Sequence, residues 1–301
     1  MKRPLTGVRV IALEQYMSAP YCTMLLADAG AEVIKIERPG RGDPRRSIPP
    51  YATGEGGERV AGGFIGYNRN KKSLALNLRA EGGRQILKDL VEISDVVVEN
   101  LRPGATDKMG LGYEQLKVVN SRLIYAAISG FGRLEGHTGP YADRPAFDIV
   151  AEAMGGIMNL VGFADKPPSW TIYGMADIYT GQVTAYGVML ALFVRERTGE
   201  GQFVDSAMLD NMLALNERMV TLYSFTGESP ERGRLKPLYP RGAFRCQDGY
   251  LALNIPDDIQ WSRLCQAMEC EELRDDPRTA DGTSRATHAD LIRPIIEAWL
   301  A

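Results

Sequence analysis

Histidine and cysteine are scarce in this chain of 301 residues, which carries only His137 and His288 and four cysteines, at 22, 246, 265 and 270. No CxxC pair occurs and the histidines lie far apart, so neither a zinc site nor a disulfide scaffold is expected. A dominant charge is also missing, because 35 Lys+Arg against 38 Asp+Glu leave a net −3. Without an overall basic field, nucleic acid is not an expected partner. Long apolar runs are absent too. The longest, residues 185–194, is half of the roughly 20 residues that a membrane-spanning helix needs. Met1-Lys2-Arg3 is similar to the start of a signal peptide, but Arg9 and Glu14 interrupt the apolar stretch that should follow. The expectation is a soluble cytoplasmic protein with reduced thiols and no membrane association. The common nucleotide and hydrolase motifs fail as well. The first strand-to-helix turn, Glu14 to Pro20, contains no glycine, and Gly130-Phe131-Gly132 is followed by Gly136 at the wrong spacing and by Pro140. A dinucleotide site is therefore not expected. No Walker A, GxSxG or HExxH sequence is present.

What is present is a globular composition, 45% hydrophobic and 24% charged, in a chain long enough for two domains at about 100 to 200 residues each. Val8 to Leu13 is short, β-branched and apolar. Ala19 to Ala29 has helical spacing and stops at Gly30, and Ala31 to Glu37 reads as the next strand. Together they form a βαβ unit, the element of a parallel sheet. A helix over 82–93, a strand over 95–100, a helix over 112–119 and a strand over 123–129 continue the alternation. The fold class expected is α/β, a Rossmann-like parallel sheet in a large domain at 1–225. Asp177 to Arg197 reads as one long helix and 206–224 as a second. Residues 226–242, rich in Gly, Pro, Glu and Arg, read as a linker. A smaller α+β domain over 243–301 begins with a hairpin, with Asp248-Gly249 supplying the positive φ angles of its turn. Helices follow at about 258–268 and 287–301.

Polar residues collect at the carboxyl ends of the expected strands, where open α/β sheets bind ligands. These are Gln15 to Ser18, Glu37-Arg38-Pro39-Gly40, and Glu99-Asn100-Leu101-Arg102-Pro103-Gly104. Any one of these arginines reads as a solvated loop charge, but three clusters at equivalent strand ends point to a shared crevice. Met154, Met158, Met175 and Met189 read as core filling rather than a cofactor box, and Cys22 as a buried small hydrophobe.

The chain resembles the class III CoA-transferases, which include formyl-CoA transferase and carnitine CoA-transferase, and the related α-methylacyl-CoA racemases. The resemblance rests on LTGVRVIALEQYMSAPYCTMLLADAGAEVIKIERPGRGDPRR at 5–46, NRNKKSLALNLRAEGG at 68–83, DVVVENLRPGATDKMGLGYEQL at 95–116 and ADIYTGQVTAYGVMLALFVRERTGEGQFVDSAMLD at 176–210. It implies an acyl-CoA:carboxylate CoA-transferase in which Asp177 is the nucleophile. The intermediates would be mixed anhydrides and a covalent aspartyl-CoA thioester. A carboxylate at a helix N-terminus is expected to stay ionised by the macrodipole and free N–H groups. Read without the resemblance, Asp177 is an ordinary helix cap. The resemblance further implies CoA contacts at Tyr16, Met17, Ser18, Arg38, Leu76, Arg79, Asn100, Leu101, Lys108 and Arg144. Arg38 is matched to the nucleotide phosphates, Leu76 and Arg79 to the segment beside the adenine, and Asn100-Leu101 to the pantetheine channel.

CoA enters as part of the substrate, with no permanently bound cofactor and no metal. The partners implied are an acyl-CoA donor, a carboxylic acid acceptor and a second copy in an interlocked homodimer. Backbone N–H groups near Gly139, or a Gly-containing loop of the small domain, are the expected oxyanion donors. Leu101 replaces an aromatic residue found in some relatives, and Asn254 to Asp258 stands where formyl-CoA transferase has a glycine-rich loop, which argues against formyl-CoA and oxalate as substrates. Family members are longer. The expectation is therefore that a C-terminal stretch is missing and that a chain ending at Ala301 exposes apolar surface and works poorly. Two alternatives stand beside this reading: a 2-methylacyl-CoA racemase and a non-catalytic CoA-ester-binding protein. The racemases carry histidine immediately before the aspartate in the segment matching Ala146 to Glu152. Here that residue is Phe147, while Asp148 is expected either to orient the nucleophile or to cap the helix beginning near Ile149.

Overall fold

The computed structural model describes residues 3–229, 232 and 238–301. Ten strands run in chain order: β1 (Arg9–Leu13), β2 (Glu32–Glu37), β3 (Tyr51–Thr53), β4 (Arg59–Ala61), β5 (Lys71–Ala75), β6 (Val96–Glu99), β7 (Ile124–Ser129), β8 (Phe203–Ala207), β9 (Arg241–Cys246) and β10 (Gly249–Asn254). The helices are α1 (Ser18–Asp28), α2 (Gly62–Asn68), α3 (Glu81–Glu92), α4 (Ala105–Lys108), α5 (Tyr113–Val119), α6 (Asp148–Met154), α7 (Ile157–Leu160), α8 (Met175–Thr198), α9 (Met208–Leu215), α10 (Glu217–Thr226), α11 (Asp258–Ala267), α12 (Glu271–Asp275), α13 (Gly282–Thr287) and α14 (Ala289–Leu300).

Strands β5-β2-β1-β6-β7-β8 form one six-stranded sheet in that order, and every pairing in it is parallel. Parallel strands covered on both faces need side chains that can be buried on both sides, which explains the unbroken apolar runs Val10 to Leu13 and Val96 to Val98. Val10, Ala12, Val96, Val98, Ile124 and Ala126 face one layer, made by Ala19, Cys22 and Leu26 of α1 and Ala185, Val188 and Leu192 of α8. Ile11, Leu13, Val97 and Tyr125 face the other, with Leu87 and Val91 of α3 and Leu116 of α5. Cys22 is fully buried and its thiol is pushed upward by burial, as a small core residue should be.

Two strands of the six-stranded sheet escaped the sequence pattern. β5 opens with Lys71-Lys72, and charge on an edge strand hides its period while protecting it from pairing with another chain. β8 ends on Ser206 and Ala207, where the sequence predicts the start of a long helix. Instead 203–207 pair with β7, and the remaining helix breaks at Asn216 between α9 and α10, where the Asn216 Nδ2 donates to the Gly155 carbonyl at 2.9 Å. Methionine placement differs too, since Met154 and Met189 are exposed while Met175 packs against a satellite cluster with Met208 and Met212.

The chain divides into two compact units, Met1–Val161 with Pro168–Ser224, and Gly162–Pro167 with Phe225–Ala301. Composition did not announce that 162–167 group with the second unit. The linker read over 226–242 includes 230, 231 and 233–237, which lie outside the described residues. In the second unit, β9 and β10 pair antiparallel with Cys246 opposite Gly249. The turn is therefore Gln247-Asp248, Gly249 starts β10, and neither Asp248 nor Gly249 has the expected positive φ. Phe244, Trp261, Cys265, Ile292 and Ile296 form this unit's core. Among the described residues no helix is long and apolar enough to cross a membrane.

Candidate active site

The carboxyl ends of β5, β2, β1 and β6 open into a cavity of about 560 Å³. Leu13 to Gln15, Glu37 to Pro39, Asn77 to Arg79 and Leu101 contribute to its walls, together with Arg41 and Met109. The arrangement follows from sheet order. Connections leave β1 and β6 toward opposite sides, which leaves a crevice at the switch point. Arg38, Arg41 and Arg79 all line it. The Glu37 carboxylate at the end of β2, also in the wall, is paired: it is held down to about 2 against the upward push of burial by Arg46, Ser73 and the Asp43 N–H. The three cavity guanidiniums, in contrast, are exposed and make no ion pair among the described residues. Arg41 was not singled out from sequence, where it reads as a loop charge.

The β1–α1 loop is held in an uncommon shape. Tyr16 has φ +64°, a conformation that a bulky residue adopts only when its surroundings enforce it. Asn100 provides one restraint, accepting from the Gln15 N–H at 2.9 Å and donating to the Gln15 carbonyl at 2.8 Å and to Ser18 Oγ at 3.1 Å. Asp43 provides another, accepting from the Tyr16 N–H at 3.2 Å. Asp43 is itself tied to the buried Lys35 at 2.8 Å, and Lys35 and Lys71 both pair with Glu14. Asn100 is thus committed to the loop rather than turned into the cavity.

This loop delivers Met17 and Ser18 to the start of α8. The tip of Met17 occupies the place where a Cβ on Gly174 would stand. A Cβ on Gly181 would come within 2.5 Å of the Ser18 carbonyl oxygen, so that glycine permits the close approach of α1 and α8. Asp177, half-buried in the first turn of α8, receives a hydrogen bond from Ser18.

Asp177 is not the cap of its helix. The N-cap position is Gly174, with φ +93°, and the capping carboxylate comes from elsewhere. Asp148, 7% exposed, accepts from Ala176 N at 2.7 Å, Asp177 N at 3.1 Å, Gly174 N at 3.3 Å and Trp170 Nε1 at 3.1 Å. It does not cap its own helix α6. Asp148 therefore consumes the N–H groups expected to keep Asp177 ionised. Burial first, and the Asp148 charge second, push the Asp177 carboxyl up to about 7, while Ser18 and Arg45 draw it back. This reverses the macrodipole expectation, because desolvation and a like charge outweigh the helix end. The fully buried Glu152 supports the same loop, accepting from Trp170 Nε1 at 2.9 Å and Thr171 Oγ1 at 2.7 Å.

The other expected contacts are dispersed. Leu76 is partly buried against the core layer of α3 and α5, and its neighbours Asn77 and Leu78 line the cavity. Lys108 is exposed at the end of α4. Arg144 is exposed and stacks on Tyr141 at 4.6 Å. Gly139 and His137 line a second cleft of about 350 Å³ together with Asp205 and Asp210, acids that would oppose an oxyanion. Phe147, at 66% exposure, meets Tyr16 edge-on at 6.1 Å. Among the described residues no group of three or more His, Cys, Asp or Glu is placed to hold a metal ion.

Known proteins share this arrangement of sequence and fold. The model of CoA-transferase family III matches residues 5–301. The chain is 43% identical to succinyl-CoA:mesaconate CoA-transferase of Haloarcula marismortui, over 98% of its own length and 74% of the relative's. It is 38% identical to acetyl-CoA:oxalate CoA-transferase of Acetobacter aceti, over 100% and 76%. A crystal structure of a CaiB/BaiF family protein from Brucella suis superposes with TM-score 0.86 at 37% identity, covering 100% of this chain and 79% of that one. The chain, an enzyme using CoA thioesters as substrates, belongs to the class III CoA-transferases.

Proposed function

We propose that this chain moves CoA from an acyl-CoA donor to a carboxylic acid acceptor through a covalent intermediate on Asp177. The observation that carries the reading is the Asp177 carboxyl, placed on the first turn of α8 with its pKa pushed up to about 7. A carboxylate of raised basicity is a stronger nucleophile once ionised, and at neutral pH a substantial fraction is ionised. Its oxygen attacks the thioester carbonyl carbon, the C–S bond breaks and CoA thiolate leaves, giving a mixed anhydride. The thiolate then attacks the Asp177 carbonyl carbon, releases the donor acid as carboxylate and forms the aspartyl-CoA thioester. The acceptor carboxylate attacks that thioester in turn. A second thiolate attack, now on the acceptor acyl carbon, restores Asp177. No ATP and no net redox change are needed.

Asp148 is assigned as the positioning residue that holds the start of α8. Arg38, Arg41 and Arg79 are assigned to the phosphates of CoA, with Leu101 along the pantetheine path. Phe147 stands where the racemase scheme requires a proton-exchanging group, and a benzyl side chain cannot serve. The free cysteines suit a cytoplasmic protein. A homodimer is supported by the outer face of α8, where Tyr186, Met189, Leu190, Phe193 and Val194 are exposed at i, i+3, i+4, i+7 and i+8 spacing. The test is covalent trapping. Incubation with an acyl-CoA donor and borohydride should modify the peptide containing Asp177, and Asp177→Ala should lose transfer while binding CoA within a few-fold of wild type. Normal turnover by Asp177→Ala, or labelling of another peptide, rejects the mechanism.

A further inference from the structure

Arg45 sits beside the proposed nucleophile without a partner adequate to its charge. It is 8% exposed, and among the described residues its guanidinium makes a single hydrogen bond, from Nη1 to the Tyr173 hydroxyl at 3.0 Å, and no ion pair. Its Nε is buried with no hydrogen-bond partner. The rings of Tyr67 and Tyr173 flank it, with the guanidinium carbon 5.8 and 5.4 Å from their centroids. Space for it comes from Gly63, where a Cβ would lie 2.8 Å from both Nε and Nη2. The neighbouring Arg46 behaves in the ordinary way, bidentate on Glu37. A buried guanidinium without an anion is strongly disfavoured unless a ligand completes it. Asp177, whose charge Arg45 senses, is a source of compensation. That compensation disappears in the reaction, because Asp177 is neutral both as anhydride and as thioester.

We propose that Arg45 is a specificity-determining residue that binds a second carboxylate, placed a few carbons from the reacting carbonyl, so that the substrates of this enzyme are dicarboxylic acids and their mono-CoA esters. The proposal rests on the transferase reading above. The distal carboxylate replaces the charge of Asp177 when the covalent intermediate forms, held by the guanidinium's charge and by N–H donors that Tyr173 leaves unused. A substrate ending in a methyl group leaves those donors buried and empty.

The experiment is isotope exchange between each acyl-CoA and its own labelled acid, comparing succinate and glutarate with butyrate and valerate, which differ only in the terminal group. Taking the ratio of rates cancels any effect of Arg45 on Asp177 itself. Wild type should favour the dicarboxylates by on the order of a hundredfold or more. Arg45→Met should bring the ratio to within a few-fold of one, and Arg45→Lys should recover part of it. Gly63→Ala, which displaces the guanidinium but keeps its charge, should lower the ratio by about tenfold. A wild-type ratio near one overturns the proposal whether or not the variants fold. So does an Arg45→Met enzyme that slows both classes equally. Exchange with neither class removes the transferase reading together with it, whereas equal exchange with both removes only the assignment of Arg45.

Discussion

Replacing Asp148 with asparagine removes one of the two acidic charges at the start of α8 while keeping the side chain's shape. Asp177 stands at about 7 against an ordinary 3.8, a rise of about 3 pH units or about 4 kcal/mol at about 1.4 kcal/mol per unit. Burial has the larger share, so Asp148→Asn should relieve less than half, about 1 unit. Ser18, Arg45 and Tyr67 also interact with Asp177, and all three remain in the variant. Because Asp177 reacts as the anion, activity falls as pH drops through its pKa. The acid limb of kcat/KM, near pH 7 in the wild type, should therefore move to lower pH. At pH 6 the ionised fraction rises from about a tenth to about a half.

The same substitution loosens the cap. Asparagine keeps one acceptor for the Ala176 and Asp177 N–H groups but turns an amide N–H₂ toward Gly174 and Trp170, which costs about 1–3 kcal/mol. Stability carries its own pH signature. A raised carboxyl pKa means that the folded state holds a proton the unfolded state has released between about 3.8 and 7. That contribution is present at low pH and lost as pH rises through about 7, and it should shrink in the variant. The assays are kcat/KM for an acyl-CoA from pH 5 to 9 and thermal melts over the same range. An acid limb that stays in place or moves to higher pH refutes the electrostatic coupling of Asp148 to Asp177.

Gly181→Ala should destabilise the fold by about 1–3 kcal/mol and lower kcat more than it raises KM, because the added Cβ meets backbone at Ser18; a melting curve that matches wild type rejects this close approach. Arg38→Ala should raise KM for every CoA ester by a similar factor, roughly tenfold or more, since a phosphate contact does not sense the acyl group. An effect confined to one ester rejects the phosphate assignment. Solvent deuterium should not enter the α-carbon of 2-methylacyl-CoA on the timescale of CoA transfer, because Phe147 cannot exchange a proton. Rapid exchange lost in Asp177→Asn but kept in Phe147→Ala would favour an isomerase.

The parallel sheet could be read from sequence because strands buried on both faces carry unbroken β-branched runs, as in Val10 to Leu13 and Val96 to Val98, with helices of a different period between them. β5 and β8 could not, since edge strands need not be apolar on both sides and their identity depends on the partner they pair with. Local sequence read Asp177 as a helix cap; the resemblance made it the nucleophile, and only tertiary structure showed that Gly174 is the N-cap. The electrostatics around Asp177 depended on tertiary structure in full. Asp148 is distant in sequence, yet it takes the free N–H groups of α8 and sets its own charge against Asp177. Arg45 and Arg46 are consecutive and chemically identical. One is caged by Tyr67, Tyr173 and Gly63, and the other is paired with Glu37. What separates them is burial and the position of counter-charges, which depend on where remote segments pack and not on the pattern of residues along the chain.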